Sequence, residues 1–111
     1  MKLWIDDLRP APAGYVWRKS TNEALKYIRK NIERISEISL DHDCGDYKDF
    51  GGDFINVLNE LERLCHSPAK DVQKFWNTYC KQINFRLHSA NPVGVANMRA
   101  IIEKNGWKEV K

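Results

Sequence analysis

The stretch Ile38-Ser39-Leu40-Asp41-His42-Asp43-Cys44-Gly45 joins a short apolar run to two acids, a histidine and a glycine turn. Apolar residues that lead directly into such a cluster are typical of a buried strand that ends at the edge of a sheet. In α/β proteins the carboxyl ends of the strands form the edge at which ligands bind. The stretch therefore predicts an α/β fold with a polar site behind this strand.

Two further apolar runs end in polar residues in the same way. Leu3-Trp4-Ile5 is followed by Asp6-Asp7, and the run 83–87 is followed by His88-Ser89. In a parallel sheet with right-handed crossovers, the carboxyl ends of all strands open at one edge. We therefore expect the side chains that follow these strands to share one site, although they lie far apart in the sequence.

Four segments with apolar residues at helical spacing predict four helices, and each follows a capping signal. These signals are the capping box Ser20-Thr21-Asn22-Glu23, in which Glu23 reaches back to the N-cap Ser20, the acid Asp53, and the pairs Ser67-Pro68 and Asn91-Pro92. The last helix runs to about Lys104, where Asn105-Gly106 is a stop signal.

The remaining strand signals are Tyr15-Val16-Trp17-Arg18 and a short run from Trp107 to Val110. The complete order is β-β-α-β-α-α-β-α-β. Strands that alternate with helices predict a mostly parallel sheet with helices on both faces. The length of 111 residues fits a single domain over residues 1–111.

Composition excludes several classes of protein. The chain is 42% hydrophobic and 30% charged, as expected for a globular protein, and no apolar run approaches the length needed to span a bilayer. The net charge of +3 permits an anionic ligand but does not by itself predict nucleic-acid binding, and the scattered basic residues indicate solvated faces. Three cysteines without CxxC spacing, and no leader segment, indicate reduced thiols in a cytoplasmic protein.

The acids at the predicted edge point to a cation. Several carboxylates close together repel one another unless a cation or a guanidinium neutralises them, and Mg²⁺ prefers carboxylate, water and phosphate oxygens. We therefore expect Asp6, Asp7, Asp41 and Asp43 to hold Mg²⁺ or another divalent cation. Arg9 follows closely in the sequence and could hold a phosphate through a two-pronged contact.

The two histidines of this edge suggest proton transfer. An imidazole titrates near neutral pH, so one histidine can act as base while the other acts as acid. Flanking a phosphodiester, His42 and His88 would activate water and protonate the leaving oxygen. Ser89 and the backbone amides after Asn91-Pro92 form a helix amino terminus, which favours a bound phosphate.

Each of these residues also has a purely structural interpretation. Aspartates before a glycine fix turns through their side chains, and histidines often serve as hydrogen-bonded structural residues. Arg9 could be an ordinary ion-pair partner, and capping alone explains Ser89 and Asn91. The common position of these residues behind predicted strands is what favours a functional site.

The motifs together resemble a known family. Leu3-Trp4-Ile5-Asp6-Asp7-Leu8-Arg9-Pro10, Ser39-Leu40-Asp41-His42-Asp43-Cys44-Gly45 and His88-Ser89-Ala90-Asn91-Pro92-Val93-Gly94 are similar, in this order, to the cyclic-phosphate-processing receiver-like domains, which are relatives of response-regulator receivers. The resemblance covers nearly the whole chain.

The resemblance implies a single-domain, flavodoxin-like, three-layer sandwich with about five strands in the order 2-1-3-4-5. In receivers an acidic pair binds Mg²⁺, as Asp6-Asp7 would here, an aspartate accepts a phosphoryl group, as Asp41 would, and Ser89 matches the residue that contacts phosphoryl oxygens. The chain departs from receivers in two places. No lysine-proline follows the fifth strand, and the first crossover is too short and proline-rich for a full helix.

We therefore expect a phosphoesterase that processes cyclic phosphates, either RNA 2′,3′-cyclic ends or cyclic nucleotides. Its catalytic residues would be His42, His88 and Asp41, with Arg9, Ser89 and Asn91 on the phosphate. The partner would be a phosphate-containing small molecule or an RNA end, without a membrane. Two alternatives remain: a divergent receiver for signalling or interaction in which Asp41 accepts phosphate, and a nucleotide-binding domain without catalysis.

Overall fold

The computed structural model describes residues 1–45 and 48–111. The strands are β1 (Lys2–Ile5), β2 (Tyr15–Arg18), β3 (Glu37–Leu40), β4 (Asn84–Leu87) and β5 (Lys108–Val110). The α-helices are α1 (Thr21–Asn31), α2 (Ile55–Cys65), α3 (Lys70–Cys80) and α4 (Pro92–Lys104), and short 3₁₀ turns cover Ile32–Arg34 and Lys48–Phe50. This order of strands and α-helices confirms the prediction.

The five strands form one parallel sheet in the order β2-β1-β3-β4-β5. This is the flavodoxin-like order that the resemblance implies. Because every strand is parallel, the residues after β1, β3 and β4 lie at the same edge of the sheet. The sequence motifs that end these three strands therefore converge, as expected.

The hydrophobic core covers only one face of the sheet. Side chains alternate between the two faces along a strand. By the register of the strands, the buried apolar residues of β1, β3 and β4 all lie on the same face. They are Leu3, Ile5, Ile38, Leu40 and Phe85. The helices contribute the rest of this core through Ala24, Ile28, Val57, Leu58, Leu61, Trp76, Cys80, Met98 and Ile102.

The flavodoxin-like fold class is confirmed, but the four described helices lie on one face of the sheet rather than on both. Helices α1, α3 and α4 each contact α2, which places all four on one side of the sheet. The physical reason is the direction of the crossovers: β2 to β3, β3 to β4 and β4 to β5 all cross the sheet in the same sense, and right-handed crossovers then share a face. Only the β1–β2 connection runs the other way, and it contains no helix, as its prolines predict.

Two of the four capping signals are confirmed. The Ser20 hydroxyl accepts a hydrogen bond from the Glu23 amide at 3.1 Å, and the Asn91 side chain accepts one from the Gly94 amide at 2.9 Å. The Glu23 carboxylate bonds the amide of Lys19 at 3.2 Å rather than that of the N-cap, so the capping box is shifted by one residue.

The other two signals are wrong. Helix α2 starts after Phe54, and the carboxylate of Asp53 accepts instead from the Cys44 amide at 3.1 Å, so it holds the loop behind β3. Helix α3 starts after Ala69, because the Ser67 hydroxyl accepts from the Ala69 amide at 3.2 Å and closes a turn ahead of the helix.

No helix in the described part of the chain combines the length and apolar character needed to cross a bilayer. The three cysteines are buried, and no disulfide joins them.

Candidate functional site

A cavity of about 490 Å³ opens at the carboxyl edge of the sheet. Its walls come from the segments that follow β1 and β3. The lining residues are Asp6, Asp7, Leu8, Arg9, Asp41, Asp43 and Gly45. The predicted acids and Arg9 are therefore brought together, whereas His42 and His88 stand behind this lining and contact it through Asp43 and Asp6.

Asp6 is fully buried and its carboxylate is fully engaged. Oδ1 accepts from the amides of Leu8 and Arg9, both at 2.8 Å, and Oδ2 accepts from Arg9 Nε at 2.9 Å and His88 Nε2 at 3.0 Å. Burial raises the pKa of Asp6, but the hydrogen bonds from Arg9, Leu8 and His88 outweigh burial and hold the pKa below its ordinary value. Asp6 is therefore ionised. Its carboxylate offers about four acceptor positions and accepts hydrogen bonds from four donors.

Arg9 links the two acidic strand ends. Its Nη2 lies 3.3 Å from Asp41 Oδ1, in addition to the Asp6 contact, while half of its side chain is exposed. A guanidinium has five N–H donors, and these two contacts are its only ones among the described residues. The remaining donors can reach a phosphate in the cavity.

The carboxylates of Asp6, Asp7 and Asp41 have oxygens within 4.8 Å of one another. Asp7 Oδ2 accepts from the Gly45 amide at 2.8 Å, and Asp41 Oδ1 accepts from the His42 amide at 2.8 Å. No described residue donates to Asp7 Oδ1 or Asp41 Oδ2. Since Mg²⁺ typically takes one or two carboxylates and completes its shell with water, Asp7 and Asp41 fit a divalent cation, whereas Asp6 has no acceptor position left for direct ligation.

His88 lies in a closed set of contacts. Its Nε2 donates to Asp6, its Nδ1 lies 2.7 Å from the Ser39 hydroxyl, and its ring stacks on Trp4 with centroids 3.7 Å apart. Burial lowers the pKa of His88 and the Asp6 carboxylate opposes this only in part, so the neutral form with the proton on Nε2 is favoured. Both ring nitrogens are occupied, and the imidazole orients Asp6.

His88 is expected to titrate below pH 6.5 in an NMR titration of its imidazole protons, because burial disfavours the charged ring. The unfolded chain then binds this proton more tightly than the folded one, so the contribution of His88 to stability is complete above pH 6.5 and declines as the pH falls below it. Asp6→Asn should lower the midpoint further by removing the opposing carboxylate. A midpoint above 6.5 would show that Asp6 outweighs burial.

His42 belongs to a second group, which lies against the start of α4. Its Nδ1 lies 2.9 Å from Asp43 Oδ1, which also accepts from Asn91 Nδ2 at 3.2 Å. The hydrogen bonds from His42 and Asn91 lower the pKa of Asp43, so this carboxylate is ionised and fixes the proton of His42 on Nδ1. No described residue forms a hydrogen bond with His42 Nε2, which is left to accept a proton.

Gly94 makes room for His42 at the start of α4. A Cβ at Gly94 would lie 2.4 Å from Cγ and 2.6 Å from Cδ2 of His42. The imidazole therefore rests directly on the first turn of the helix that Asn91 caps. Ser89 completes this turn by accepting from the Asn91 amide at 3.1 Å, which agrees with its structural interpretation and leaves its own hydroxyl proton for a ligand.

A second set of possible metal ligands consists of His42, Asp43 and Asp53. Its carboxylates already hold the loop behind β3 and the imidazole, since Asp53 Oδ1 accepts from the Cys44 amide and Asp43 Oδ1 from two side chains. Mg²⁺ prefers oxygen ligands, so the all-carboxylate cavity group fits this cation better than the second set, which includes an imidazole.

Sequence reasoning missed three residues of this site, Trp4, Ser39 and Gly94. Trp4 and Ser39 are neighbours across β1 and β3, and the alternation of the strands places both on the face opposite the core. The alternation of side chains along the strands could have identified Trp4 and Ser39 as neighbours of the site, because both lie on the face that the end of β4 shares. Gly94 stands three residues after its cap, which is where a close approach to the helix would favour glycine.

A model of the family described as the cyclic-phosphate processing receiver domain matches residues 1–104 of the chain. The matched segment contains every residue of the cavity and of the two histidine groups. No curated protein and no solved structure matched the chain in the corresponding comparisons.

Proposed function

Because the chain belongs to the family of cyclic-phosphate processing receiver domains, we propose that it hydrolyses a cyclic phosphodiester, such as an RNA 2′,3′-cyclic end or a cyclic nucleotide. The observation that carries this proposal is the pair His42–Asp43, in which a carboxylate fixes one imidazole nitrogen and leaves the other without a described partner. The same Asp43 lines the cavity that contains Arg9, so base and phosphate site adjoin.

His42 Nε2 accepts the proton of the attacking water in this proposal. The water oxygen forms a bond to phosphorus, one ring P–O bond breaks, and the released ribose oxygen takes a proton. An imidazole with one nitrogen held by a carboxylate can take this proton on its other nitrogen. Asp43 orients the imidazole and stabilises the imidazolium, as carboxylates do in other acid–base pairs.

The contacts of His88 favour a different role from the one expected from the sequence. A ring with both nitrogens engaged would have to break its hydrogen bond to Asp6 or to Ser39 before it could protonate a leaving group. We therefore assign His88 as a positioning residue for Asp6, and the leaving oxygen takes its proton from water. The two-histidine mechanism remains the competing version.

Arg9 neutralises charge at the phosphate. It connects Asp6 and Asp41 and still has donors that face the cavity, so a phosphate oxygen can bind it through a charge-assisted hydrogen bond. A divalent cation on Asp7 and Asp41, when bound, would polarise the phosphoryl oxygens. Ser89 and the first turn of α4 offer further donors at the same edge.

A divergent receiver is the second candidate function. It is favoured by the placement of Asp41 beside Asp6 and Asp7 in a sheet of receiver order. Asp41 Oδ2 would accept the phosphoryl group, and Arg9 would contact Asp41 through the other carboxylate oxygen. A nucleotide-binding domain without catalysis would use the same cavity.

Wild-type protein is expected to convert a 2′,3′-cyclic mononucleotide into a single nucleoside monophosphate, faster with Mg²⁺ than with EDTA. Asp7→Asn should remove most of the difference between Mg²⁺ and EDTA, because it removes a proposed ligand. Glu33→Gln, which changes an exposed carboxylate after α1, is the matched control and should keep the difference between Mg²⁺ and EDTA.

Absence of turnover for both 2′,3′- and 3′,5′-cyclic substrates would contradict the proposed hydrolysis. A mass increase after incubation with a small phosphoryl donor would then support the divergent receiver.

A further inference from the structure

One face of the parallel sheet has no helix against it in the described part of the chain. Its side chains are those that alternate with the core residues in register across the strands. They are Lys2 and Trp4 of β1, Tyr15 and Trp17 of β2, Glu37 and Ser39 of β3, Asn84 and Arg86 of β4, and Lys108 and Val110 of β5. We call this surface the open sheet face. Parallel sheets are almost always covered on both sides, so an uncovered one calls for an explanation.

Aromatic rings cluster at one end of the open sheet face. Trp4, Tyr15 and Trp17 are all partly exposed, and Trp4 meets Tyr15 edge to face with centroids 5.7 Å apart. Lys2 lies over the ring of Tyr15 at 5.4 Å, and Lys19, just beyond β2, lies over Trp17 at 4.6 Å. Rings interleaved with cations are the combination on which the bases and phosphates of single strands bind.

The charge of the open sheet face is positive. Together with Lys19 it carries four cations and, among its described residues, one acid. That acid, Glu37, is already occupied by the Tyr15 hydroxyl and lies 3.6 Å from Arg86 Nε. Lys2 and Lys108 are exposed and form no ion pair with a described carboxylate. The surface therefore complements a polyanion.

A missing helix layer is a poor occupant for this surface. A helix packs on a sheet through aliphatic side chains, as the core face shows with Leu3, Ile5 and Ile38. The open sheet face presents charged, amide and hydroxyl groups at most of its positions instead. An amphipathic helix would bury these groups without partners, at a cost in free energy.

The aromatic end of the open sheet face adjoins the cavity. Trp17 Nε1 donates to the backbone oxygen of Asp6 at 2.7 Å, and Trp4 stacks on His88, which holds the Asp6 carboxylate. We infer that the open sheet face binds single-stranded RNA, with bases on Trp4, Tyr15 and Trp17 and the strand's cyclic-phosphate end in the cavity. This inference rests on the proposed function in one respect: a 2′,3′-cyclic phosphate requires a 2′-hydroxyl, which selects RNA.

The test compares two double variants that remove equal charge. Lys2→Gln/Lys19→Gln changes the open sheet face, and Lys70→Gln/Lys74→Gln changes two exposed residues of α3. Binding of a labelled 12-nucleotide single-stranded RNA is followed by fluorescence anisotropy over a series of salt concentrations. We expect the first variant to bind about tenfold more weakly, with a salt slope smaller by about 1.4 for two lost phosphate contacts. The second should stay within about twofold of wild type.

A third variant, Tyr15→Ala, tests stacking and should weaken RNA binding between about 5-fold and about 150-fold. Equal losses in both double variants, or equally tight binding of duplex RNA or inorganic polyphosphate, would overturn the inference. Turnover of a cyclic mononucleotide separates it from the proposed function. If the open sheet face binds RNA but the protein shows no turnover, RNA binding by this face is supported and the proposed hydrolysis is refuted. If the protein shows turnover but binds the RNA no more tightly than the mononucleotide, only RNA binding by this face is refuted.

Discussion

His42→Gln is expected to lower the turnover of a cyclic phosphate by about 10²- to 10⁴-fold, the range typical of a lost general base. Glutamine has no group that accepts a proton near neutral pH, so the water in the cavity would attack unassisted. The change keeps a polar side chain of similar reach on Gly94, and the fold should survive. The measurement is kcat with a 2′,3′-cyclic mononucleotide, together with thermal unfolding of the variant.

His66→Gln is the matched control for this substitution. His66 is exposed at the end of α2, on a different surface, and among the described residues its imidazole forms a hydrogen bond only with Asn105, at 2.9 Å. Its loss should leave turnover within about twofold of wild type. If His42→Gln kept half or more of the wild-type kcat while remaining folded, His42 would have no part in the chemistry.

The pH profile distinguishes the one-histidine from the two-histidine mechanism. If His42 alone transfers a proton, His88→Asn lowers kcat without changing the shape of the profile. If His88 is the acid, His88→Asn instead removes the fall of kcat at high pH. The hydrogen bonds of His88 to Asp6 and Ser39 favour the first outcome.

The convergence of the site could be predicted from the sequence because it depends only on strand ends. Once β1, β3 and β4 are parallel neighbours, Asp6, Asp41 and His88 must lie at one edge. The cap at Asn91 was equally predictable, since a cap followed by proline is a local signal. These features need no knowledge of how individual side chains are oriented.

The role of each side chain depends on register and could not be predicted in this way. His88 is two residues beyond Arg86 and therefore lies on the open sheet face beside Trp4 and Ser39, where stacking and hydrogen bonds use both its nitrogens. His42 lies instead against the start of α4, a helix that is distant in sequence. Two histidines that looked equivalent as residues after strands consequently have different surroundings.

The face of the sheet on which the helices lie also depends on a local feature, the connection between β1 and β2. The rule that alternating strands and helices give two helical layers assumes a helix in every crossover. Here the connection from β1 to β2 has none, and it is the one crossover of opposite direction. A short loop that contains Pro10 and Pro12 thus decides whether a whole face of the sheet is covered.

Gly94→Ala is expected to destabilise the protein by about 1–2 kcal/mol and to reduce turnover. Alanine in the first turn of a helix is ordinarily favoured over glycine by about 0.5–1 kcal/mol. Here the new Cβ would lie 2.4 Å from His42 Cγ, so the ring or the helix must move. Overpacking of this kind costs about 1–3 kcal/mol, which exceeds the gain in helix propensity. Urea unfolding measures the sign and size of the net change.

The same substitution should have the opposite sign when the imidazole is absent. In a His42→Ala background the space against Gly94 is empty, so Gly94→Ala retains only its helix-forming advantage and should stabilise the protein by about 0.5–1 kcal/mol. The double-mutant cycle then gives a coupling energy of about 2 kcal/mol between positions 42 and 94. If Gly94→Ala stabilised the wild-type protein as well, His42 would not rest on α4, and the orientation that leaves its Nε2 toward a substrate would lose its structural basis.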